Sequence, residues 1–135
     1  MAVQFSTGVR NAMLDAWETA ISTSAVLKIR TGAQPAACAT ADSGTVLATL
    51  NLPSDWMTAA ASGAKAKSGT WEDTSADATR TAGHYRIYAS DGTTCHEQGS
   101  ITANGGGGDL ELVTVSIVAT QPVTITGFSK TMGGA

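Results

Sequence analysis

The chain has 135 residues, with eight basic and eleven acidic side chains and a formal net charge of −3. Its length fits a single domain (1–135) with one core, and its scattered basic residues exclude the positive stripe by which proteins bind nucleic acid. No apolar run approaches the roughly 20 residues that span a bilayer, and the start of the chain lacks the layout of a secretory signal. We therefore expect a protein that is made in a cytoplasm and binds neither nucleic acid nor membranes.

Charged residues make up only 14% of the chain, well under the roughly 25% that is usual in soluble proteins. Alanine, glycine, serine and threonine take their place. A surface so poor in lysine and glutamate is typical of proteins that contact other protein over much of their area.

The first element that the sequence predicts is an amphipathic helix. Ser6 or Thr7 can cap its start, and the polar residues 22–24 end it. Apolar side chains recur in it at intervals of four, namely Val9, Met13, Trp17 and Ile21. We expect this stripe to pack against a sheet, so that residues 1–24 form an N-terminal arm and a helix.

The following residues, 25–130, predict short strands with turns between them. Apolar and polar residues alternate in 25–30 and 45–52, which indicates two half-buried strands. Pro53 ends the second strand because proline has no amide donor. The residues between the two strands, 31–44, have no period and are interpreted as a loop.

The second half of the chain continues in the same way. Further strands are predicted at 70–72, within 83–100, at 109–118 and at 123–128. Residues 59–67 have side chains too small to build a core and are expected on the surface, and 73–82 form a polar loop. Six or seven strands after one helix indicate a mainly β fold, with antiparallel sheets in a β-sandwich or jelly roll. Residues 131–135 are expected to form a flexible C-terminal tail.

Residues 83–100 predict a β-hairpin. Asp91 and Gly92 tolerate the positive φ angles of a two-residue turn between two extended runs. Such a turn pairs Arg86 with Glu97 across the strands, as a small cross-strand stabilisation.

Candidate catalytic groups in this hairpin do not fit one another. Cys95 and His96 are adjacent in a strand and therefore point to opposite faces. The predicted register places His84 about 10 Å from His96, too far to share a metal ion. The glycine-rich segments lack the sequence of a phosphate-binding loop. We predict no catalytic residue, no metal site and no cofactor, hence a protein that is not an enzyme, although calcium between acidic turns stays open.

Two pairs of alternatives also stay open. Cys38 and Cys95 are either two free thiols kept reduced or the ends of a long-range disulfide that forms after assembly. Four aromatic residues belong either to a core or subunit interface or to a platform that stacks sugars. They are Trp56, Trp71, Tyr85 and Tyr88.

Segments along nearly the whole chain share a pattern with known proteins. They are the opening helix FSTGVRNAMLDAWETAI, then AVLKIRTGAQPAAC, LPSDWM, KAKSGTW, the hairpin AGHYRIYASDGTTCHEQGS and the closing strands through TITGFSKT. In these segments the chain resembles a family of small virion structural proteins of tailed bacteriophages. Its turn at 119–122 departs from the family, which often has a sequence like AAGQ there. The resemblance implies a virion location, synthesis in the host bacterial cytoplasm and no catalytic motif.

The resemblance also implies partners within the particle, namely the major capsid protein or other virion proteins, and further copies of the chain. We expect a capsid decoration or cement protein that stabilises the head lattice. A collar, tail or fibre-attachment component is the alternative, and a carbohydrate-binding module for host adhesion is the third reading. Candidate interface residues are those without an evident role inside the chain. They are Met1, Ala2, Val3, Gln4, Phe5, Lys65 and Lys67.

Overall fold

A computed structural model describes residues 3–135, so Met1 and Ala2 of the candidate interface lie outside the described residues. In the described part, a helix, α1, is followed by eleven strands. The helix spans Thr7–Ile21, and the strands are β1 Val26–Arg30, β2 Val46–Asn51, β3 Ala64–Ala66, β4 Trp71–Asp73, β5 Arg80–Thr81, β6 His84–Tyr88, β7 Cys95–Ala103, β8 Leu110–Leu112, β9 Ser116–Ile117, β10 Val123–Ile125 and β11 Ser129–Thr131. The chain is therefore mainly β with one N-terminal helix, as the sequence predicts.

The strands form one larger sheet and three small ones. The five-stranded sheet has the order β2-β1-β6-β7-β8, and three two-stranded sheets pair β4 with β10, β3 with β11 and β5 with β9. All pairings are antiparallel except that of β7 with β8, which is parallel. The predicted strand at 109–118 is two separate strands, and the predicted loops at 59–67 and 73–82 contain β3 and β5. Strands of two or three residues are too short to show an alternating pattern.

The helix begins where its capping residue predicts. The Ser6 hydroxyl accepts a 3.2 Å hydrogen bond from the amide of Val9, which satisfies one of the amides that a helix start leaves free. The helix ends before residues 22–24, as expected.

The predicted apolar stripe of α1 is wrong in its first half. Val9 and Met13 are exposed, whereas Leu14 is buried. A helix turns about 100° per residue, so residues four apart drift about 40° around the axis at each step. The core contacts Trp17 and Ile21, and Leu14, which is buried three residues before Trp17, lies on the same face of the helix.

The two faces of the five-stranded sheet differ in chemistry. The inner face contributes apolar side chains to a single buried cluster, among them Leu27, Ile29, Leu50, Ile87, Ile101 and Leu110. The outer face carries Arg30, His84 and Arg86, which are nevertheless buried. Residues 31–44 cover them, as the hydrogen bonds from Arg86 to the carbonyls of this segment show. The predicted strand 25–30 is therefore buried on both faces rather than half-exposed.

The hairpin turn contains Asp91 and Gly92, but its loop has four residues rather than two. The amide of Ala89 donates to the carbonyl of Thr94 at 3.0 Å and closes the loop. Gly92 has a φ of 70°. The Asp91 carboxylate accepts hydrogen bonds from the amides of Thr93 and Thr94, at 2.8 and 2.9 Å.

The predicted pairing of Arg86 with Glu97 is wrong. Tyr88 lies opposite Cys95, as the predicted turn requires, but a bulge between Ile87 and Tyr88 shifts the register by one residue. Arg86 therefore lies opposite Gln98, and Glu97 lies opposite Ile87. Because successive side chains in a strand alternate between faces, a register change of one residue moves a side chain to the other face of the sheet. Arg86 therefore lies on the outer face, and Glu97 lies on the inner face.

The two termini lie beside each other. The residues predicted to form a flexible tail, 131–135, begin inside β11. The amide of Met132 donates to the Gly63 carbonyl at 2.9 Å, and the amide of Phe5 donates to the Gly134 carbonyl at 2.5 Å. The tail is thus anchored by hydrogen bonds to the arm and to the segment before β3.

Candidate functional site

The arm and the first half of α1 present an exposed apolar surface. Val3 is 74% exposed, Phe5 38%, Val9 45% and Met13 39%. Val9 and Met13 are four residues apart in α1 and therefore lie on one side of the helix, whereas Val3 and Phe5 belong to the arm that precedes it. We call Val3, Phe5, Val9 and Met13 the N-terminal apolar surface. Exposed apolar groups that follow one another in this way are typical of a surface that contacts another protein.

The candidate interface residues of the arm are not free of contacts within the chain. In addition to the Phe5 hydrogen bond, the side-chain Nε2 of Gln4 donates to the Ala135 carbonyl at 3.3 Å. The prediction that the arm has no intramolecular role is therefore wrong at Gln4 and Phe5. The backbone of Phe5 and the side chain of Gln4 thus attach the arm to the C-terminal residues, while the side chain of Val3 stays exposed.

Lys65 is not at the surface. Its side chain is 2% exposed, and its ammonium forms ion pairs with Asp15 at 2.6 Å and Glu18 at 2.7 Å. Burial lowers the pKa of Lys65, but the hydrogen bonds and charges of the two carboxylates raise it more, so it lies above its usual value. The prediction that 59–67 is a surface excursion is therefore wrong at Lys65, whose charge attaches α1 to β3.

Lys67 lies at the rim of a cleft of about 640 Å³. Its ammonium donates to the Gly69 carbonyl at 2.7 Å. The cleft is also lined by Asp109 and Glu111, but these carboxylates bind backbone amides of the chain itself. The Asp109 carboxylate accepts from the amide of Ser100. The Glu111 carboxylate accepts from the amides of Gly105 and Gly107 in the glycine-rich connector, residues 104–109 between β7 and β8. The hydrogen bonds from Ser100 lower the pKa of Asp109, so the acidic groups of the cleft order the connector.

A second exposed apolar area lies in the second half of the chain. Val113 is 69% exposed and Val118 is 48% exposed. Both line a groove of about 330 Å³ between β8, β9 and β10. Neither residue stood out in the sequence, because both fall inside the single strand predicted at 109–118.

The residues considered for catalysis are kept apart by the fold. His84 is fully buried, and its Nδ1 donates to the Gly32 carbonyl at 2.9 Å. His96 is exposed, and the Cys95 thiol contacts the Glu97 carbonyl at 3.4 Å. His84 and Cys95 thus have separate local contacts, and a buried His84 and an exposed His96 do not meet at one site.

The aromatic residues form core rather than a sugar platform. Trp56, Trp71, Tyr85 and Tyr88 are all 0% exposed. The rings of Trp56 and Trp71 lie 5.9 Å apart at an angle of 44°, and Phe128 packs on Trp71 at 5.3 Å. A sugar could not reach these faces without opening the core.

The outer face of the five-stranded sheet holds an ionic cluster that the sequence did not indicate. Asp42 binds Arg30 at 3.0 Å and Arg86 at 2.5 Å, and it accepts a 2.7 Å hydrogen bond from the Tyr88 hydroxyl. Burial raises the pKa of Asp42, but Tyr88 and the two guanidinium groups lower it more, so it lies below its usual value. No signal in the sequence indicated this cluster, because the predicted hairpin register paired Arg86 with Glu97 and the segment that carries Asp42 has no periodic pattern.

Comparison with known proteins gives no match for the chain, whether with protein-family models, with curated proteins or with solved structures. Among residues 3–135, no helix has the length and apolar character needed to cross a membrane. The same residues contain no group of three or more histidine, cysteine or acidic side chains placed to hold a metal ion.

Proposed function

We propose that this chain is a non-enzymatic structural protein of a tailed bacteriophage particle, most simply a decoration or cement protein on the head lattice. The resemblance along nearly the whole chain supports a virion role. The low charge content supports a subunit that contacts other protein over much of its surface. The observation that carries the proposal furthest is the N-terminal apolar surface.

The N-terminal apolar surface suits attachment to a lattice of capsid subunits. It contains an arm residue, Val3, whose side chain extends away from the core, and two residues of a helix fixed by buried contacts. Burial of four apolar side chains against a partner removes apolar area from water. The helix is already ordered by its core contacts, so little entropy is lost on binding. Major capsid protein is the partner we propose, and many copies of the chain would occupy equivalent positions.

The architecture of the proposed subunit is a small β-sandwich of the jelly-roll type. The inner face of the five-stranded sheet forms one layer, and the two-stranded sheets form the other. In support, Trp71 and Ile125 from the small sheets, and Phe128 just before β11, belong to the same buried cluster as Leu27 and Ile87 from the large sheet.

A collar, tail or fibre-attachment role is the alternative, and the copy number distinguishes the two. Quantitative mass spectrometry of purified particles that encode this chain should give hundreds of copies per particle for a head-lattice protein. A neck or tail component should give about six or twelve, as ring symmetry requires. Absence of the chain from purified particles would overturn both.

A binding experiment tests the attachment surface. We expect the double variant Val9→Gln and Met13→Gln to keep its fold, because both residues are exposed and glutamine favours helices, but to lose co-sedimentation with particles that lack the protein. The matched control is Val113→Thr with Val118→Thr, which removes a similar apolar exposure from the groove between β8, β9 and β10. Equal binding by the helix variant and the wild type would show that this surface does not attach the chain.

A further inference from the structure

Two side chains of β6 and β7 hold residues 35–40, the middle of the segment 31–44, against the outer face of the five-stranded sheet. Arg86 donates from Nη2 to the carbonyls of Ala37 and Thr40, at 2.9 and 3.0 Å. Gln98, which lies opposite Arg86 in the sheet, donates to the Pro35 carbonyl at 2.6 Å. These bonds position residues 35–40 above β6 and β7, and Cys38 lies in the middle of that stretch.

Cys95 lies under the same stretch. It is paired with Tyr88, two residues along β6 from Arg86, so Cys95, Tyr88 and Arg86 share the outer face. Cys38, in the middle of residues 35–40, is a neighbour of Cys95 on this face and contributes to raising the pKa of its thiol. Both cysteines are free, and both are partly accessible. The fold therefore brings together two thiols that are separated by more than fifty residues in the sequence.

We propose that Cys38 and Cys95 are a disulfide-forming pair that is oxidised by a low-molecular-weight disulfide such as glutathione disulfide. One thiolate attacks the small disulfide, forms a mixed disulfide and releases one glutathione thiol. The second cysteine, as its thiolate, attacks the protein sulfur of the mixed disulfide and releases the second glutathione thiol. The two cysteine sulfurs lose two electrons, which reduce one glutathione disulfide to two thiols.

A disulfide would hold residues 31–44, which contribute Asp42 to the ionic cluster, covalently against the sheet. Asp42 lies four residues after Cys38 and is the counter-ion of Arg30 and Arg86. In the reduced chain, the segment depends on hydrogen bonds and ion pairs alone. Burial and the neighbouring Cys38 raise the pKa of Cys95 to about 12, so Cys95 is a thiol rather than a thiolate at neutral pH, and slow oxidation is expected there.

The timing of oxidation, unlike the bond itself, rests on the proposed virion role. A reducing cytoplasm keeps both thiols free during synthesis and assembly. Release of particles into an oxidising medium would then allow the bond to form. The subunit would gain stability when it no longer needs to adjust to its neighbours.

Oxidation of the purified chain tests the bond directly. We expect incubation with glutathione disulfide at pH 8.5 to lower the mass by about 2 Da and to raise the melting temperature by roughly 5–15 °C. Trypsin should then release residues 31–65 and 87–130 as one cross-linked species that dithiothreitol separates. Amide hydrogens of residues 37–42 should exchange more slowly in the oxidised chain.

The single variants Cys38→Ser and Cys95→Ser are the matched controls, and neither should show the mass loss or the rise in melting temperature. Three results would overturn the proposal. They are a chain that stays at its reduced mass, a chain that accumulates glutathione on either cysteine, and a chain that forms only dimers linked between molecules. Each can be observed without phage particles, so failure here is separable from failure of the proposed function.

Discussion

The Tyr85 hydroxyl donates a 2.8 Å hydrogen bond to the Glu97 carboxylate on the inner side of the five-stranded sheet. The other oxygen of Glu97 accepts from the indole nitrogen of Trp17 at 3.2 Å and binds the Lys130 ammonium at 2.7 Å. Burial of Tyr85, followed by the charge of Glu97, raises the pKa of the Tyr85 hydroxyl. One carboxylate thus joins α1, two strands of the sheet and β11.

Replacement of this carboxylate should destabilise the fold. Glu97→Gln keeps the shape of the side chain but removes the charge that Lys130 pairs with, and it places an amide donor among three donors. We expect a loss of about 1–3 kcal/mol in the free energy of unfolding, because buried groups lose their partners. Urea unfolding followed by tryptophan fluorescence measures it.

Glu72→Gln is the control for this change. Glu72 is partly exposed, and its carboxylate accepts a 3.3 Å hydrogen bond from the Thr124 hydroxyl. Its replacement should alter the free energy of unfolding by no more than about 0.5 kcal/mol. Equal losses in the free energy of unfolding would show that the contacts of Glu97 stabilise the fold no more than those of the partly exposed Glu72.

Two neighbouring residues test which face of α1 meets the core. Leu14→Ala should cost about 2–5 kcal/mol in the free energy of unfolding, since it leaves a cavity in a packed interior. Met13→Ala should cost about 0.5 kcal/mol or less, because Met13 is exposed and alanine favours helices. Thermal unfolding of both variants checks the order, and a reversed order would refute the burial described for this helix.

The sequence predicted the elements with strong local patterns. The helix, the strands at 25–30 and 45–52 and the hairpin at 83–100 all exist, because capping, alternation and turn residues act over a few neighbouring positions. Errors arose where a small departure from the assumed helix period or strand register changes which side chain faces a given partner. A spacing of four instead of 3.6 selected Met13 instead of Leu14. A β-bulge between Ile87 and Tyr88, which no local pattern announces, shifts the register by one residue and makes Gln98 instead of Glu97 the partner of Arg86.

Contacts between distant segments could not be predicted. Asp42 lies in a stretch without any period, and nothing near it in the sequence shows that it would neutralise Arg30 and Arg86. Lys65 looked exposed because its neighbours are small, yet α1 supplies two carboxylates that make its burial possible. The closeness of Cys38 and Cys95 likewise depends on how residues 31–44 fold back over the sheet.

The hairpin turn allows a test of backbone conformation alone. Gly92 has a φ of 70°, and a Cβ added there would meet no atom within 4 Å, so only backbone strain opposes a side chain. Gly92→Val should cost about 1–3 kcal/mol because a β-branched residue is strained at positive φ. Gly127→Val is the matched control, since Gly127 is equally open without a positive φ. Similar melting temperatures for the two variants would contradict this account.

The ionic cluster on the outer face predicts a dependence of stability on pH. The pKa of Asp42 lies below its usual value in the folded chain, whereas an unfolded aspartate titrates near about 3.9. A carboxylate whose pKa is lowered by folding stabilises the fold above the unfolded pKa, and this stabilisation is lost as pH falls through the folded pKa. The contribution of Asp42 should therefore be complete above about pH 5 and should decline below about pH 4.

Asp42→Asn isolates this contribution from those of the other carboxylates. At pH 7 we expect the variant to be less stable by roughly 1–3 kcal/mol, after allowance for the part of the carboxylate that solvent screens. The difference from the wild type should shrink as pH falls towards about 3, because a protonated aspartate is neutral like asparagine. Asp55→Asn, at an exposed position, should show little difference at any pH. Urea unfolding at a series of pH values measures both variants, and a difference for Asp42→Asn that stays constant with pH would show that the charge of Asp42 does not hold Arg30 and Arg86 in place.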